Sequence, residues 1–242
     1  MGEAAEAVFR EAVSDDLAMF TRLHDRELDI EIAVALKASR FPEGLGLRLT
    51  RDGSAAALAA MAKAVAEFPD EPDPAWMAEM AADYADVYLT HGCRATPAES
   101  PWLDPDRLVR QEPMFKVREW YRRHGLAMAD WRTRSDDHLV PELQFVTHLI
   151  ASGEEGSLVE AARFLDSHPL NWVGSFAKVV DKHCRTPFYA ALAVLTADYL
   201  EELRDILTSL AGVPRPVPAE PAVMACASKK KGQAPKCAAA HA

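Results

Sequence analysis

Hydrophobic residues recur at intervals of three and four positions along almost the whole chain, and the alternation typical of strands is nearly absent. This spacing is typical of amphipathic helices that bury one apolar face. The sequence therefore predicts an all-α fold, a single multi-helix bundle domain. The predicted helices cover approximately residues 4–22, 26–39, 54–68, 73–90, 104–124, 138–152, 157–167, 170–184 and 187–211.

Polar and proline-rich breaks indicate how the chain is organised. The connection 125–137 is a candidate hinge between an N-terminal part (1–130) and a C-terminal part (137–211) of one helical domain, residues 1–211. Beyond that domain, alternating prolines, a lysine triplet and alanines replace the helical pattern. Such a composition buries no core, so residues 212–242 are predicted to be a flexible tail.

Charge and hydropathy narrow the function classes. The 242 residues carry 27 basic and 37 acidic side chains, a net charge of −10, which argues against nucleic-acid binding and suits a cationic partner. No apolar run approaches the roughly 18 residues that a membrane helix needs. The N-terminus lacks the basic and apolar regions of a signal peptide. We therefore expect a cytoplasmic protein without stable membrane insertion.

The motifs of common enzyme classes are missing. The chain has no G-x-x-x-x-G-K-[ST], no G-x-G-x-x-G, no G-x-S-x-G and no H-E-x-x-H. Adjacent Asp136 and Asp137 would not face each other on a helix, which is poor geometry for an acid–base pair. The sequence predicts a protein without enzymatic activity, and a helical hydrolase or nucleotide-binding enzyme is the disfavoured alternative.

The stretch 134-RSDDHLVPELQFVTHLI-150 places polar residues at the start of an apolar helix. Asp137 and the aspartate before it are candidate N-caps, because a carboxylate accepts orphan amide protons at a helix start. Either Asp137 caps a strained first turn, or the helix begins nearer Pro141. His138 and Glu142 stand four positions apart, a spacing that favours a surface pair. A binding surface is the alternative interpretation of these residues.

Five segments follow one another in a recognisable order: 84-YADVYLTHGCRATPAESPWLD-104, 111-QEPMFKVREWYRRHGL-126, 136-DDHLVPELQFVTHLI-150, 168-HPLNWVGSFAKVV-180 and 187-PFYAALAVLTADYL-200. Their succession resembles the TorD/DmsD family, the NarJ-like chaperones that mature molybdenum-containing oxidoreductases, over residues 10–211. Its most specific pieces are Asp-His followed by Glu-Leu at 137–143, Pro-x-Glu-Ser at 97–100 and His-x-x-x-Trp-x-x-x-Phe at 168–176. The second segment is most similar to members that serve dimethylsulfide-, ethylbenzene- or chlorate-type enzymes.

The resemblance implies an all-helical chaperone that is not an enzyme. Such a chaperone binds the twin-arginine signal peptide, the apo form, or both, of a molybdopterin-containing oxidoreductase subunit. It holds that catalytic subunit for cofactor insertion before export. The resemblance also allows either a monomer or a domain-swapped homodimer, with exchange through the 125–137 connection.

The resemblance places the signal-peptide surface around Asp137 and His138 and the neighbouring Pro-x-Glu-Ser loop. Two positions depart from the family pattern: Asp136 stands where proline is usual, and Ala98 where an aromatic residue is often found. The candidate client-binding residues are Asp136, Asp137, His138, Glu142, Pro97, Glu99, Ser100, Trp76, Asp83 and Trp102.

An acidic run fits a partner of this kind. Residues 64–93 contain no lysine or arginine and seven acidic side chains: Glu67, Asp70, Glu71, Asp73, Glu79, Asp83 and Asp86. Arginine pairs bidentately with carboxylates, and nearby aromatic residues such as Trp76 and Trp102 are candidates for an apolar wall. A solvated helix face is the alternative interpretation of most of these acidic residues.

The four cysteines, Cys93, Cys184, Cys226 and Cys237, include no C-x-x-C pair. We expect free thiols and no cofactor. The alternative is an assembly factor that carries an iron–sulfur cluster or zinc on these four thiols, and a redox-sensitive disulfide between Cys226 and Cys237 is an intermediate possibility.

Overall fold

The computed structural model describes residues 2–90, 92 and 95–216. Over these ranges the chain is all-α, as predicted, and it adds a π-helical turn, Ala85–Leu89, and a 3₁₀ turn, Pro169–Asn171. No helix in this part of the chain is long and apolar enough to cross a membrane. The α-helices are α1 Glu3–Asp25, α2 Ile30–Ala38, α3 Ser54–Ala66, α4 Pro74–Tyr84, α5 Ser100–Leu103, α6 Glu112–Arg123, α7 Leu139–Ala151, α8 Ser157–Ser167, α9 Val173–His183 and α10 Pro187–Ala211.

Most predicted helix boundaries hold to within a few residues. α8 and α10 coincide with the predicted ranges 157–167 and 187–211. α2 begins later than predicted because the Asp29 carboxylate accepts a hydrogen bond from the Ile32 N–H at 2.8 Å and so caps the helix there. α10 ends at Gly212, whose φ of 66° is a left-handed conformation that glycine adopts easily.

The predicted helix 104–124 is wrong over its first half, because only Glu112–Arg123 is helical. The Asp104 carboxylate accepts hydrogen bonds, both at 3.1 Å, from two backbone N–H groups that follow it. This side chain offers the backbone an alternative to helical pairing. Arg107 and Arg110 have φ angles of 55° and 59°, which a continuous helix does not allow.

One hydrophobic core joins the two parts of the chain on either side of the 125–137 connection. α1 packs against α7, and α10 packs against α3, α8 and α9. Phe20 of α1 and Tyr199 of α10 are both fully buried, with ring centroids 4.9 Å apart. The C-terminal helices are therefore built around the first helix of the N-terminal part.

A buried histidine ties α1 to α10 and to the π-helical turn. His24 Nε2 lies 2.9 Å from Thr196 Oγ1, and His24 Nδ1 lies 2.6 Å from the Tyr88 hydroxyl. The Thr196 hydroxyl donates to the Leu192 carbonyl at 2.8 Å, so its oxygen accepts from Nε2–H and Nδ1 accepts from Tyr88. Burial lowers the pKa of His24 to about 3 and keeps the ring neutral. Tyr88 is thereby held in a fixed position.

The connection 125–137 is anchored near its C-terminal end. Arg134 pairs with Asp25 at the end of α1, with 2.5 Å between Nη1 and Oδ1. Asp136, one of the candidate binding residues, is buried and pairs with Arg118 of α6 at 2.8 Å. Tyr121 donates a hydrogen bond to the Asp136 carbonyl at 2.9 Å. Asp136 therefore ties the connection to α6. That the connection serves as a hinge stays a prediction.

Candidate functional site

The Pro-x-Glu-Ser loop and the Asp-His segment lie against each other, although about 40 residues separate them in sequence. The Leu139 N–H donates to the Pro97 carbonyl at 2.9 Å, and the Glu99 N–H donates to the Asp137 carbonyl at 2.8 Å. These two bonds form an isolated antiparallel bridge between Ala98 and His138. The two motifs are thus one structural unit.

Asp137 is the centre of this unit. Its side chain has no exposed surface. Oδ2 accepts hydrogen bonds from the Ser100 N–H at 2.8 Å and from the Ser100 hydroxyl at 2.5 Å, and Oδ1 accepts one from the Ser135 hydroxyl. The expectation that Asp137 caps its own helix is wrong, because the carboxylate instead satisfies the first backbone N–H of α5.

His138 is the residue that caps α7. Its Nδ1 accepts a hydrogen bond from the Val140 N–H at 3.1 Å, and the helix begins at Leu139 rather than near Pro141. Pro141 falls in the first turn, where a missing N–H is tolerated. The predicted surface pair between His138 and Glu142 is wrong, because Glu142 is completely buried.

Two glutamates share a closed interior with a histidine and a tryptophan. Glu99 Oε2 lies 2.9 Å from His168 Nδ1, and the Trp172 indole N–H donates to Glu142 Oε2 at 3.1 Å. All four side chains are at most 3% exposed. The third piece of the family resemblance, His-x-x-x-Trp, therefore supplies the polar partners of the other two motifs.

The environment of Glu142 favours the protonated form of its carboxyl group. Burial raises its pKa well above the ordinary value, and the negative charges of Glu99 and Asp137 raise it further. A buried carboxylic acid avoids the desolvation cost of a second charge next to Glu99. The cluster is shielded from solvent, and Glu142 Oε1 is buried without a hydrogen-bond partner among the described residues. These side chains therefore support the surface above them from inside the fold.

Asp83 also has a role inside the fold. Its carboxylate accepts hydrogen bonds from the Thr186 N–H and from the Arg185 N–H, the latter at 3.3 Å. Burial raises the pKa of Asp83, but the hydrogen bonds from Thr186 outweigh it and the net shift is downward. Asp83 thereby fixes the turn between α9 and α10 to α4.

An open pocket lies beside the paired motifs, and we call it the Asp-His pocket. Its volume is about 420 Å³. Leu89 and Val109 on its wall are 61% and 53% exposed. Its lining consists of Tyr84, Tyr88, Leu89, Thr96, Pro97, Ala98, Val109, Arg110, Thr133, Arg134, Ser135 and His138. Of the candidate residues, Pro97 and His138 therefore reach this pocket.

A second, smaller pocket of about 160 Å³ lies further back along α4, and we call it the Trp76 pocket. Trp76 is half-buried and packs edge-on against Phe68, with ring centroids 5.0 Å apart. The exposed side chains of Glu67 and Glu79 line the same pocket. Arg185 lines it too, and it pairs with Asp83 and Asp86. Glu67 also pairs with Lys63 at 3.9 Å, an exposed pair on one helix face. Trp102, by contrast, lines neither pocket and donates its indole N–H to the Thr96 carbonyl at 2.8 Å.

The acidic run is only partly available to a partner. Asp70 pairs with Lys37 at 2.5 Å, and Asp83 and Asp86 both pair with Arg185. Asp83, Asp137 and Glu99 were candidates for binding a cationic partner with their carboxylates. All three side chains are buried, so none of them presents an exposed carboxylate.

The described residues hold no group of three or more side chains placed to bind a metal. Cys184 donates from Sγ to Asp83 Oδ2 at 3.3 Å. Cys93, Cys226 and Cys237 lie outside the described residues, so the four-thiol cluster and the disulfide stay predictions.

The sequence-based prediction missed Val109 and Arg110. It assigned them to a helix, although Asp104 followed by Pro105 is a signal for a turn that ends helical structure. The loop that results brings both residues to the Asp-His pocket.

Comparisons with known proteins identify a matching family and several similar proteins. The family model described as "Nitrate reductase delta subunit" matches residues 50–178. A protein of Vibrio vulnificus named "Chaperone protein TorD" is 29% identical over 140 residues, which cover 50% of this chain and 64% of that protein. "Chaperone protein TorD" of Aliivibrio fischeri is 27% identical over 132 residues (51% and 61%). "Chaperone protein YcdY" of Escherichia coli is 26% identical over 131 residues (54% and 66%). Each match spans less than two thirds of the relative.

We predict that Asp137→Ala destabilises the fold by about 3 kcal/mol, because it leaves the buried donors of Ser100 and Ser135 without an acceptor. Chemical denaturation followed by circular dichroism measures the loss. Asp15→Ala, on the exposed face of α1, is the matched control and changes the free energy of unfolding by less than about 0.5 kcal/mol. Equal effects of the two variants would contradict the role of Asp137.

Glu142 makes the stability of the protein depend on pH. Because its pKa is raised in the fold, its contribution is full below the ordinary carboxyl pKa and is lost as the pH rises through the folded value. Glu142→Gln cannot ionise, so we expect it to flatten the fall in the free energy of unfolding as the pH rises above the ordinary carboxyl pKa. Glu119→Gln, at an exposed site, keeps the wild-type slope. A wild-type slope in Glu142→Gln would disprove the assignment.

Proposed function

We propose that this chain, which belongs to the nitrate reductase delta subunit family, is a redox-enzyme maturation chaperone that binds the twin-arginine leader of a molybdopterin-containing oxidoreductase subunit. The predicted resemblance to TorD-type chaperones is confirmed at the level of the family. The observation that carries the proposal is the Asp-His pocket, an open and partly apolar pocket that two family motifs build together.

The Asp-His pocket suits the apolar segment of such a leader. Leu89 and Val109 keep more than half of their surface exposed, and Tyr84 and Tyr88 form an aromatic wall behind them. Full burial of a leucine-sized side chain contributes roughly 1.5–3 kcal/mol. The charged residues of the lining are Arg110 and Arg134, which disfavour a second cation and leave the pocket to an uncharged segment.

The Trp76 pocket suits the arginine pair. Arg185 in the lining of this pocket already pairs with Asp83 and Asp86, which offset its charge. Glu67 and Glu79 present exposed carboxylates at the rim, and a guanidinium group pairs bidentately with a carboxylate. The half-buried indole of Trp76 offers a face on which a guanidinium group can stack. Lysine neither pairs bidentately with a carboxylate nor stacks on an indole as well as arginine does. This pocket therefore accounts for a preference for arginine.

Both pockets lie along the same helix. Trp76 and Glu79 belong to α4, and Leu89 belongs to the π-helical turn that continues it. A rise of 1.5 Å per residue places Trp76 and Leu89 about 20 Å apart, which about six extended residues span. The leader therefore lies along α4, with its arginine pair at the Trp76 pocket and its apolar segment at the Asp-His pocket.

The family motifs have two different roles in this arrangement. His138 and Pro97 line the Asp-His pocket and contact the leader. Asp137 lies beneath them and joins the two backbone segments. Glu99 and Glu142 tie these segments to His168 and Trp172. Occupation of this surface keeps the apo subunit in the cytoplasm while its molybdopterin cofactor is inserted, and release of the leader permits export.

We predict that the double variant Leu89→Ser, Val109→Ser weakens binding of a synthetic twin-arginine leader by about 10-fold to 100-fold, because two apolar side chains no longer become buried. A titration that follows tryptophan fluorescence measures the dissociation constant. Ile30→Ser, Val34→Ser makes the same change at two exposed positions of α2 and leaves the affinity unchanged. Equal affinities of the two variants would contradict binding at the Asp-His pocket.

We also predict that Glu67→Gln, Glu79→Gln removes the preference for arginine over lysine. Wild-type protein binds the twin-arginine leader more tightly than its twin-lysine variant, and the difference shrinks as salt is raised. The double variant binds the two peptides equally. Glu154→Gln, Glu155→Gln, at exposed positions elsewhere, retains the preference. Retention of the preference in Glu67→Gln, Glu79→Gln would place the arginine pair at another site.

A further inference from the structure

A groove between α9 and α10 lies apart from the two leader pockets. Its volume is about 430 Å³, and its floor is built from small and medium apolar residues. Gly174 leaves open space above the backbone, because a Cβ added there would meet no atom within 4 Å. The groove is lined by Gly174, Ala177, Val194 and Ala197 among its small and apolar residues and by six charged residues, Arg51, Asp52, Lys178, Asp181, Asp198 and Glu201.

The last described residues lead toward this groove. After Gly212 the chain turns back along α10, and Arg204 donates to the carbonyls of Val213 and Pro214 at 3.1 and 3.2 Å. Arg215 then donates to the Glu201 carbonyl at 2.8 Å and pairs with the Glu201 carboxylate at 2.7 Å. Arg215 also pairs with Asp205 at 2.8 Å. These contacts hold the described end of the chain beside Glu201, which lines the groove.

The residues that come next have a matching character. The sequence 216-PVPAEPAV-223 alternates proline with small apolar residues and contains one charge, Glu220. Such a segment favours the extended polyproline II conformation, so little conformational entropy is lost when it is ordered. The lining carries four acidic side chains and two basic ones. Lys178 is the basic one that makes no ion pair with any described residue, so we place Glu220 next to it.

The length of the segment also fits. From Glu201 back to Val194 the groove runs along seven residues of α10, or about 10 Å. Three or four residues of polyproline II at about 3.1 Å each cover this distance. We propose that residues 217–220 of the same chain occupy the α9–α10 groove, so that this surface is an intramolecular docking site for the C-terminal segment.

Methyl NMR of the full chain tests this docking. The variant Val217→Ser, Pro218→Gly removes the larger apolar side chains of the segment without shortening the chain. We expect it to shift the methyl signals of Ala177, Val194 and Ala197. The control Ala234→Ser, Pro235→Gly changes the tail further on and leaves these three signals in place. Identical groove signals in wild type and both variants would overturn the proposal.

Gly174→Leu supplies the complementary test from the side of the groove. A Cβ at this position meets no atom of the described residues within 4 Å, so we expect the leucine side chain to enter the groove. In this background the two tail substitutions produce no further shift of the Val194 and Ala197 methyl signals. A response that persists in Gly174→Leu, or groove signals that move only when the leader peptide is added, would show that the segment does not dock there.

Discussion

The carboxylate of Asp137 holds together the part of the structure on which the proposed function depends. It accepts two hydrogen bonds from Ser100 and one from Ser135, and it has no exposed surface. These bonds close the 97–100 loop against the start of α7 and place Pro97 and His138 side by side on one pocket wall. Without this junction, neither motif would present a defined surface.

The junction contains three acidic residues, Asp137, Glu99 and Glu142, that are buried and serve the fold. A buried carboxylate is costly unless hydrogen bonds or a proton offset the loss of water. Asp137 is compensated by hydroxyl and amide donors, and Glu99 by His168. Glu142 is compensated by Trp172 and by a raised pKa that favours its protonated form. Glu67 and Glu79, in contrast, are exposed and line the Trp76 pocket. The buried acidic residues therefore support the fold, and in our proposal the exposed ones recognise the leader.

The sequence predicted the helices well because apolar periodicity reports burial directly, as the matching limits of α8 and α10 show. It also identified the two motifs that meet in space. It could not reveal that Asp137 serves α5 instead of α7, because that choice depends on a contact 37 residues away. The loop at Val109 was missed for a local reason, since the Asp104 side chain competes with helical hydrogen bonds.

Chemical-shift mapping of the wild-type protein, with a synthetic twin-arginine leader as the titrant, tests the central claim most directly. The account predicts that the largest amide and side-chain shifts fall on the two pockets of α4, at Trp76, Tyr88, Leu89, Val109 and His138. The buried Asp137 and Glu142 should respond less than the surface above them. The largest shifts at α9 and α10, or no saturable shift at all, would contradict it.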